Sequence, residues 1–351
     1  MKRLSSLLLL TLIAYLPLKA QDFGQIMQAG AADAELYFEQ YAGPVMASFT
    51  NGLGAGWYNT GKPHKLLGFD LTLGVNLANI PSSERTFDFN SVGWNNLQLQ
   101  SGSTDIPSVV GGDASSTLVI PANATVDLGG GESITYTEAI EFDALDGFDA
   151  SDLPVVGFPV PTLQFGVGLP KNTDLKIRYA TDFGTLDDGS ISLFGIGVMH
   201  DLKQWVPGLK QIPLDFSGFF GFTNFSAEFD FQSTDPNFQA DGSVELSASS
   251  YTLQGVVSKT LPVITPYIGI GFVVGSSSLD VKGDYTYVNE PGTVFETSES
   301  VTDPISLDFD GGSSPRINAG LRLKLLILTF HAEYAIQKYN TLTAGVGISI
   351  R

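Results

Sequence analysis

Residues 67–77 read LGFDLTLGVNL, and every odd-numbered position among them is large and apolar. The even-numbered positions hold glycine, aspartate, threonine and asparagine. Successive side chains of a β-strand point to opposite faces, so this period of two predicts a strand with one apolar and one polar face. Residues 341–350 read TLTAGVGISI and repeat the pattern. The sequence therefore predicts an all-β fold built from two-faced strands.

Ten stretches of the chain carry such alternation. They lie near residues 66–79, 160–169, 174–182, 189–202, 212–224, 242–259, 262–278, 315–326, 328–338 and 340–350. Many contain about 10 residues or more, enough to cross an outer membrane at a tilt, whereas strands of soluble proteins average about 5–6 residues. An even number is typical of bacterial barrels and places the N-terminus on the periplasmic side.

The composition of the polar face indicates which face points inward. It is rich in glycine, threonine, serine, asparagine and glutamine and has few charges, as expected of a filled or wet lumen. We therefore predict an antiparallel transmembrane β-barrel of 10–14 strands whose apolar side chains contact outer-membrane lipid. A secreted β-sandwich with its apolar face inward is the alternative.

Overall composition excludes several classes of protein. The 351-residue chain has 37 acidic and 18 basic side chains, no cysteine and a formal net charge of −19. Without cysteine, disulfide scaffolds, zinc ribbons and thiol nucleophiles are excluded. The negative charge would repel a phosphate backbone, so nucleic acid is not an expected partner.

The first 20 residues have the three-part layout of a secretory signal peptide. Lys2 and Arg3 precede a mostly apolar run over residues 4–18, and Ala20 is a small residue before a cleavage point. A membrane anchor is the alternative, but the run is shorter than the roughly 20 residues that a spanning helix needs. We predict a cleaved signal peptide over residues 1–20 and an outer-membrane location.

Loop length and charge predict which end of the barrel faces outward. Bacterial barrels have short periplasmic turns and long extracellular loops. The predicted inner turns are 170–173, 203–211, 259–262 and 325–327, and the predicted outer loops are 80–159, 225–241 and 279–314. The outer loops carry 24 acidic residues against two basic ones. Strand-like runs inside two of these loops raise the strand count toward 14 if they join the wall, and leave it near ten otherwise.

Residues 21–65 precede the barrel, which is predicted over residues 66–351. Apolar residues between 31 and 49 recur at helix-like spacing, and a glycine- and aromatic-rich linker follows. We predict a helical hatch inside the barrel; a helix at the periplasmic mouth and a surface helix that only anchors the N-terminus are the alternatives. The candidate contacts of this hatch with a ligand in the lumen are Leu36, Tyr41, Val45 and Trp57.

Three further stretches carry a family resemblance. Residues 56–60 (GWYNT), 197–208 (GVMHDLKQWVPG) and 331–345 (HAEYAIQKYNTLTAG) resemble an uncharacterised family of Gram-negative outer-membrane proteins. More distantly, the chain is similar to the FadL-like long-chain fatty-acid transporters, whose barrels have about 14 strands and an N-terminal hatch. The resemblance implies an outer-membrane barrel and, through the distant group, transport of a hydrophobic compound.

The histidines and acidic loops give weak signals for chemistry. His331 and Glu333 lie two apart on one predicted strand and share its lumen face, which predicts a polar pair in the lumen. No G-x-S-x-G motif accompanies them, so we predict neither an enzyme nor a cofactor. Asp308 and Asp310 precede a glycine and are weak calcium candidates, because they do not complete a 12-residue calcium loop.

Two functions are compatible with this pattern. The preferred one is a passive transporter or channel for a small, hydrophobic molecule, gated by residues 21–65. The alternative is a closed structural or interaction barrel whose acidic outer loops bind a partner, a surface polymer or divalent cations. A continuous apolar pocket beside the hatch would favour the first, and a lumen filled by side chains would favour the second.

Overall fold

The computed structural model describes residues 25–129, 131–150, 155–181, 189–235, 238–289, 297–303 and 305–350. The predicted signal peptide and residues 21–24 lie outside these ranges. Within the described residues, no helix is both long and apolar enough to cross a membrane.

The structure contains one long helix, α1 (Ala31–Leu53), followed by strands. The strands up to the second half of the chain are β1 (Phe69–Ala78), β2 (Thr86–Asp88), β3 (Gln98–Ser101), β4 (Asp105–Pro107), β5 (Thr117–Ile120), β6 (Thr125–Gly129), β7 (Glu132–Thr135), β8 (Ile140–Asp143), β9 (Pro159–Leu169) and β10 (Thr173–Thr181). The remaining strands are β11 (Gly189–Asp201), β12 (Asp215–Asp235), β13 (Phe238–Ser258), β14 (Ile264–Asn289), β15 (Thr297–Thr302), β16 (Ile305–Leu325), β17 (Leu328–Ile336) and β18 (Thr341–Ile350).

Ten of these strands form a closed antiparallel barrel. Their order around the wall is β1, β9, β10, β11, β12, β13, β14, β16, β17 and β18, and the sheet closes where β18 pairs with β1. The predicted all-β barrel is confirmed, with ten strands, the lower limit of the predicted range. The extra strand-like runs add no strand to the wall: residues 280–288 lengthen β14, β15 pairs with this distal part of β14, and β6 pairs with β7 in a separate hairpin.

The apolar faces of the strands point away from the lumen, as predicted. On β1, Leu71 and Leu73 are exposed on the outside of the barrel, whereas Asp70 and Thr72, which alternate with them, are buried. The same alternation runs along β17 and β18. The wall therefore presents lipid with the side chains that gain most from leaving water.

The lipid-facing band occupies only one end of the longest strands. On β14 the exposed large hydrophobic residues lie between Ile264 and Val274, a span of 11 residues that matches the roughly 9–11 residues of a membrane-crossing strand. We call the barrel end beside this band, which carries the short connections 170–172, 259–263 and 326–327, the inner end. The opposite end is the outer end, and β12, β13, β14 and β16 extend well beyond the band there.

Two predicted outer loops, 225–241 and 279–314, are therefore wrong: in the second, β14 runs to Asn289, and β15 and β16 follow. Residues 225–241 are mostly strand, because β12 runs to Asp235 and β13 starts at Phe238. The alternation continues through this region. Phe225 and Ala227 are buried in a cluster with Phe49 and Leu53 of α1, and the next residue, Glu228, is exposed. The inward-facing side chains keep the period of two, but the acidic residues between them made the stretch resemble a loop.

Residues 79–158, the connection between β1 and β9, form a folded unit at the outer end that we call the outer cap. It contains three small sheets, namely β2 with β4, β3 with β5 and β8, and β6 with β7. Its apolar residues share one core with the N-terminal half of α1 and with the outer ends of β14 and β16. Members of this shared core include Ile26, Tyr37, Phe38, Tyr41, Phe89, Leu97, Ile106, Leu118, Phe142, Val281, Tyr285, Leu307 and Phe309.

The helix descends from the outer cap into the lumen. Ser48 Oγ donates to the carbonyl of Ala78 at the outer end of β1, and further along the chain the backbone N–H of His64 donates to Asp174 at the inner end. We call residues 46–65 the plug. The plug thus lies inside the barrel, whereas the described residues before it, 25–45, pack in the core of the outer cap.

Candidate functional site in the barrel lumen

The C-terminal end of α1 is bonded to the barrel wall through its last carbonyl groups. Arg178 donates to Leu53 O at 3.0 Å and to Ala55 O at 2.7 Å, and Thr252 Oγ1 donates to Gly54 O at 2.9 Å. A helix leaves its final carbonyls without intrahelical partners and carries a partial negative charge there. The fully buried Arg178 supplies both hydrogen bonds and positive charge at that point.

Trp57 fills a socket made by glycines of two neighbouring strands. The Arg178 guanidinium carbon lies 3.7 Å from the centre of the indole ring on one side. A Cβ atom added at Gly195 or Gly197 would lie 3.0 Å from the ring, and one added at Gly221 would lie 2.7 Å from it. The absence of side chains at these wall positions therefore makes room for the plug.

We expect Gly221→Ala to destabilise the protein by about 1–3 kcal/mol, because the added methyl group overlaps the indole ring of Trp57. Gly218→Ala on the same strand is the matched control, since its Cβ would have no neighbour nearer than 3.9 Å. Urea unfolding in detergent micelles measures both. Equal midpoints for the two variants would show that the socket is not tightly filled.

Below Trp57, the plug continues to be held by polar wall residues. Tyr58 donates to Gln254 Oε1 at 2.9 Å, Ser217 donates to the Gly61 carbonyl at 2.7 Å, and the Gly61 N–H donates to Ser258 at 3.0 Å. Each contact links a plug residue to a strand more than 150 residues away along the chain. The plug is therefore joined to the wall throughout the depth of the barrel.

At the inner end the plug closes on a cluster of buried charged groups. His64 Nδ1 lies 2.9 Å from Asp174 Oδ2, and its Nε2 lies 3.5 Å from Asp70 Oδ1. Lys176 Nζ lies 3.8 Å from the same Asp70 oxygen. Groups of both signs lie together here, which limits the cost of burying each charge.

At the outer end α1 is held by a carboxylate. Asp33 is 1 % exposed and accepts four hydrogen bonds, from the backbone N–H groups of Asn95, Asn96 and Leu97 and from the Asn95 side chain, at 2.7–3.0 Å. Nearby, the Leu145 N–H donates to Tyr37 Oη at 2.9 Å, and burial raises the pKa of Tyr37. The outer cap is thereby fixed to the first turns of the helix.

A family model matches residues 1–350, and its description is "Family of unknown function (DUF6588)". The chain belongs to this family. This match confirms the resemblance to an uncharacterised family that the sequence suggested. No curated protein matches it.

Solved structures similar to the DUF6588 protein are outer-membrane barrels of low identity. The translocator domain of the autotransporter NalP from Neisseria meningitidis is 10% identical, with 82% of this chain and 90% of that chain covered and a TM-score of 0.29. The transport unit of the autotransporter AIDA-I from Escherichia coli is 9% identical, with 89% and 99% covered and a TM-score of 0.31. The Ralstonia pickettii toluene transporter TbuX is 10% identical, with 88% and 98% covered and a TM-score of 0.16. Likeness at this level carries no information on function.

The structure does not bring the predicted ligand contacts together. Tyr41 and Val45 are buried in the core shared with the outer cap, and Leu36 on the same part of the helix is half-buried. Trp57 lies deeper, in a cluster with Tyr58 and Phe219. Tyr41 donates to the Asp146 carbonyl at 2.6 Å, so its hydroxyl is used within the protein. Tyr41 and Val45 therefore belong to one buried cluster and Trp57 to another.

The predicted polar pair of the DUF6588 barrel faces the lumen, but its members have different partners. Glu333 accepts a hydrogen bond from Arg316 at 2.7 Å, and both residues are buried. His331 is buried against Gly345, with Arg322 beside it in the cross-strand register. This burial separates His331 from lipid and argues against a lipase or protease site.

The calcium candidates gain no support as a site. Asp308 is exposed near the outer end of β16, and the Asp310 side chain lies outside the described part of the structure. Ser306 donates to Asp280 on the neighbouring strand, so nearby oxygens are engaged within the wall. Among the described residues there is no group of three or more potential metal ligands.

Sequence reasoning missed the residues that hold the plug. Arg178 carried a usable signal, because it follows Asp174 and Lys176 on the lumen face of β10, a run of charges on a face that has few charges elsewhere. Asp33 carried none, since an acidic residue in the first turn of a helix is common and its partners lie more than 60 residues away.

Proposed function

We propose that the protein is an outer-membrane barrel closed to diffusion, which holds a folded acidic cap at the cell surface as an interaction or structural element. In this proposal residues 1–20 are removed on export, and the outer cap meets a cationic partner, a surface polymer or divalent cations. This is the second of the two functions that the sequence allowed.

The filled lumen is the observation that carries the proposal. The carbonyls of Leu53, Gly54 and Ala55 are bonded to the wall, and Trp57 occupies a socket with no spare space. A solute that crossed would have to break these contacts and leave buried polar groups without partners, at about 1–3 kcal/mol each. The plug is therefore a part of the barrel core.

The charge of the outer cap supports the second half of the proposal. Predicted loop 80–159 contains 12 acidic residues and one basic residue. The folded core beneath these residues holds them in place at the outer end. A fixed acidic surface attracts cations and cationic partners, and this attraction weakens as salt is raised.

We expect liposomes that contain the wild-type protein to leak a small sugar at the rate of protein-free liposomes. The reason is that the plug crosses the lumen and is bonded to the wall from its outer end to its inner end. Light-scattering measurement of liposome swelling tests this, with a bacterial porin as the positive control. Swelling that increases with the amount of folded protein would disprove a closed barrel.

A gap in the wall favours transport of an apolar molecule as a second candidate. The β9–β10 ladder stops at the pair Arg178↔Gln164, although both strands continue toward the outer end. Pro159 and Pro161 lie in the part of β9 that pairs with β1 but not with β10, and both lack the N–H group that a ladder needs. Behind the gap lies the apolar cluster of Phe49, Leu53, Val160, Ile191, Leu193, Phe225, Ala227 and Ala248.

The same liposome assay separates the two candidates when an apolar dye replaces the sugar. Dye escape that depends on the protein, and that slows when cysteines at Thr162 and Ala180 are bridged by a bifunctional maleimide, would support passage at the gap. Dye escape equal to that of protein-free liposomes would support the closed barrel.

A further inference from the structure

The direction of the chain inside the barrel follows from contacts at three depths. Asp33 is bonded to residues 95–97 of the outer cap, beyond the outer end of the wall. Ser48 is bonded to Ala78 at the outer end of β1. His64 is bonded to Asp174 near the inner end, close to the connection between β9 and β10. Increasing residue number therefore means increasing depth, from the outer end to the inner end.

The first described residues lie at the outer end of the molecule, within the outer cap. Ile26 is fully buried in the core of the outer cap, and Tyr136 of the cap donates to the Gln28 carbonyl at 3.1 Å. Gln25 lines a groove with residues 114–117 and 141–144 of the cap. The structure therefore places the start of the described chain at the far end of the barrel from the inner turns.

This arrangement differs from the predicted periplasmic N-terminus. The prediction holds for β1, which begins at the inner end beside β18 and the end of β9. The 23-residue helix before it adds one more crossing in the opposite direction. An even number of wall strands alone would leave both ends of the chain at the inner end. Because the plug adds one more crossing, the described chain starts at the outer end and finishes at the inner end.

We propose that the barrel displays its own N-terminal segment at the cell surface, after this segment has passed outward through the barrel. The proposal rests on the proposed function for its outer-membrane orientation. Passage must precede closure of the wall around the plug, because the finished socket of Trp57 and the carbonyl contacts of Arg178 leave no space for a second chain segment. Gln25, at the start of the described chain, is then on the extracellular side.

Single-cysteine labelling in intact cells tests the proposal, because the natural chain has no cysteine. Gln25→Cys reports on the N-terminal segment, Ser83→Cys on the exposed surface of the outer cap, and Lys210→Cys on the exposed inner end. A membrane-impermeant maleimide is applied to cells before and after permeabilisation. Heat-dependent migration of each variant on a gel verifies that its barrel is folded.

We expect Gln25→Cys and Ser83→Cys to be labelled in intact cells, and Lys210→Cys only after permeabilisation. A different result would overturn the outward N-terminus but leave the orientation intact: Ser83→Cys is labelled in intact cells, whereas Gln25→Cys is labelled only after permeabilisation. Labelling of Lys210→Cys alone in intact cells would overturn the orientation and the proposed function with it.

Gln25 is half-buried, so a second variant guards against slow labelling. A short peptide tag inserted between Asp22 and Phe23 should bind its antibody on intact cells. A tag that is detected only after permeabilisation, in cells whose Ser83→Cys variant is labelled from outside, would contradict the proposal.

Discussion

Replacing Arg178 by methionine is expected to lower the free energy of unfolding by about 5 kcal/mol. The variant keeps much of the side-chain volume but leaves the carbonyls of Leu53 and Ala55 without their charged donor, and it removes the cation above the Trp57 ring. Both carbonyls are enclosed by the barrel, so water does not readily replace the lost hydrogen bonds. Urea unfolding in detergent micelles, followed by tryptophan fluorescence, measures the change.

Two further variants test this explanation. Arg178→Lys keeps the charge but lacks the planar fork that reaches two carbonyls, so it should fall between wild type and Arg178→Met. Ile177→Leu, on the lipid-facing side of the same strand, should leave stability unchanged. An Arg178→Met variant as stable as Ile177→Leu would show that the C-terminal end of α1 does not depend on the wall.

Replacing Asp33 by alanine is expected to cost about 4 kcal/mol and to expose the outer cap to protease. Three backbone N–H groups, of Asn95, Asn96 and Leu97, would lose a buried charged acceptor at once. Limited proteolysis of the folded protein in micelles, with mapping of the cut sites, checks this outcome. We expect new cuts within residues 89–104 and an intact barrel.

Glu35→Ala is the matched control, because Glu35 is an exposed acidic residue two positions along the same helix. Its protease pattern should equal that of the wild type. If both variants are equally resistant, the cap is held by its apolar core alone, and the Asp33 contacts are not needed for its position.

The wall of the barrel was predictable because one local rule governs it. Alternation in residues 67–77 and 341–350 already identified β1 and β18, which pair with each other along their whole length. The same rule gave the ten strands and the apolar outer face. It failed in residues 225–241 and 279–314, where charges on the solvent side disguised the continuing strands.

The contents of the lumen were less accessible to sequence reasoning, because they depend on contacts between distant segments. Tyr58 reaches Asn318 across 260 positions of the chain, and Thr343 reaches Asn76 across 267. Helix-like spacing indicated that a helix precedes the barrel, but spacing contains no information on the direction in which that helix enters. The glycines of the Trp57 socket were likewise indistinguishable from the other glycines on lumen faces.

The seam between β1 and β18 joins the two ends of the barrel sequence around the plug. His64 of the plug lies within 3.4 Å of Ser349 on β18, 285 positions later, so the plug gains its last wall contacts only when the final strand arrives. Contacts of such wide sequence separation are slow to form, because the entropy of closing the loop must be lost before they stabilise anything. A chain without β18 would therefore lack both this contact of the plug and the pairing with β1 that closes the wall around it.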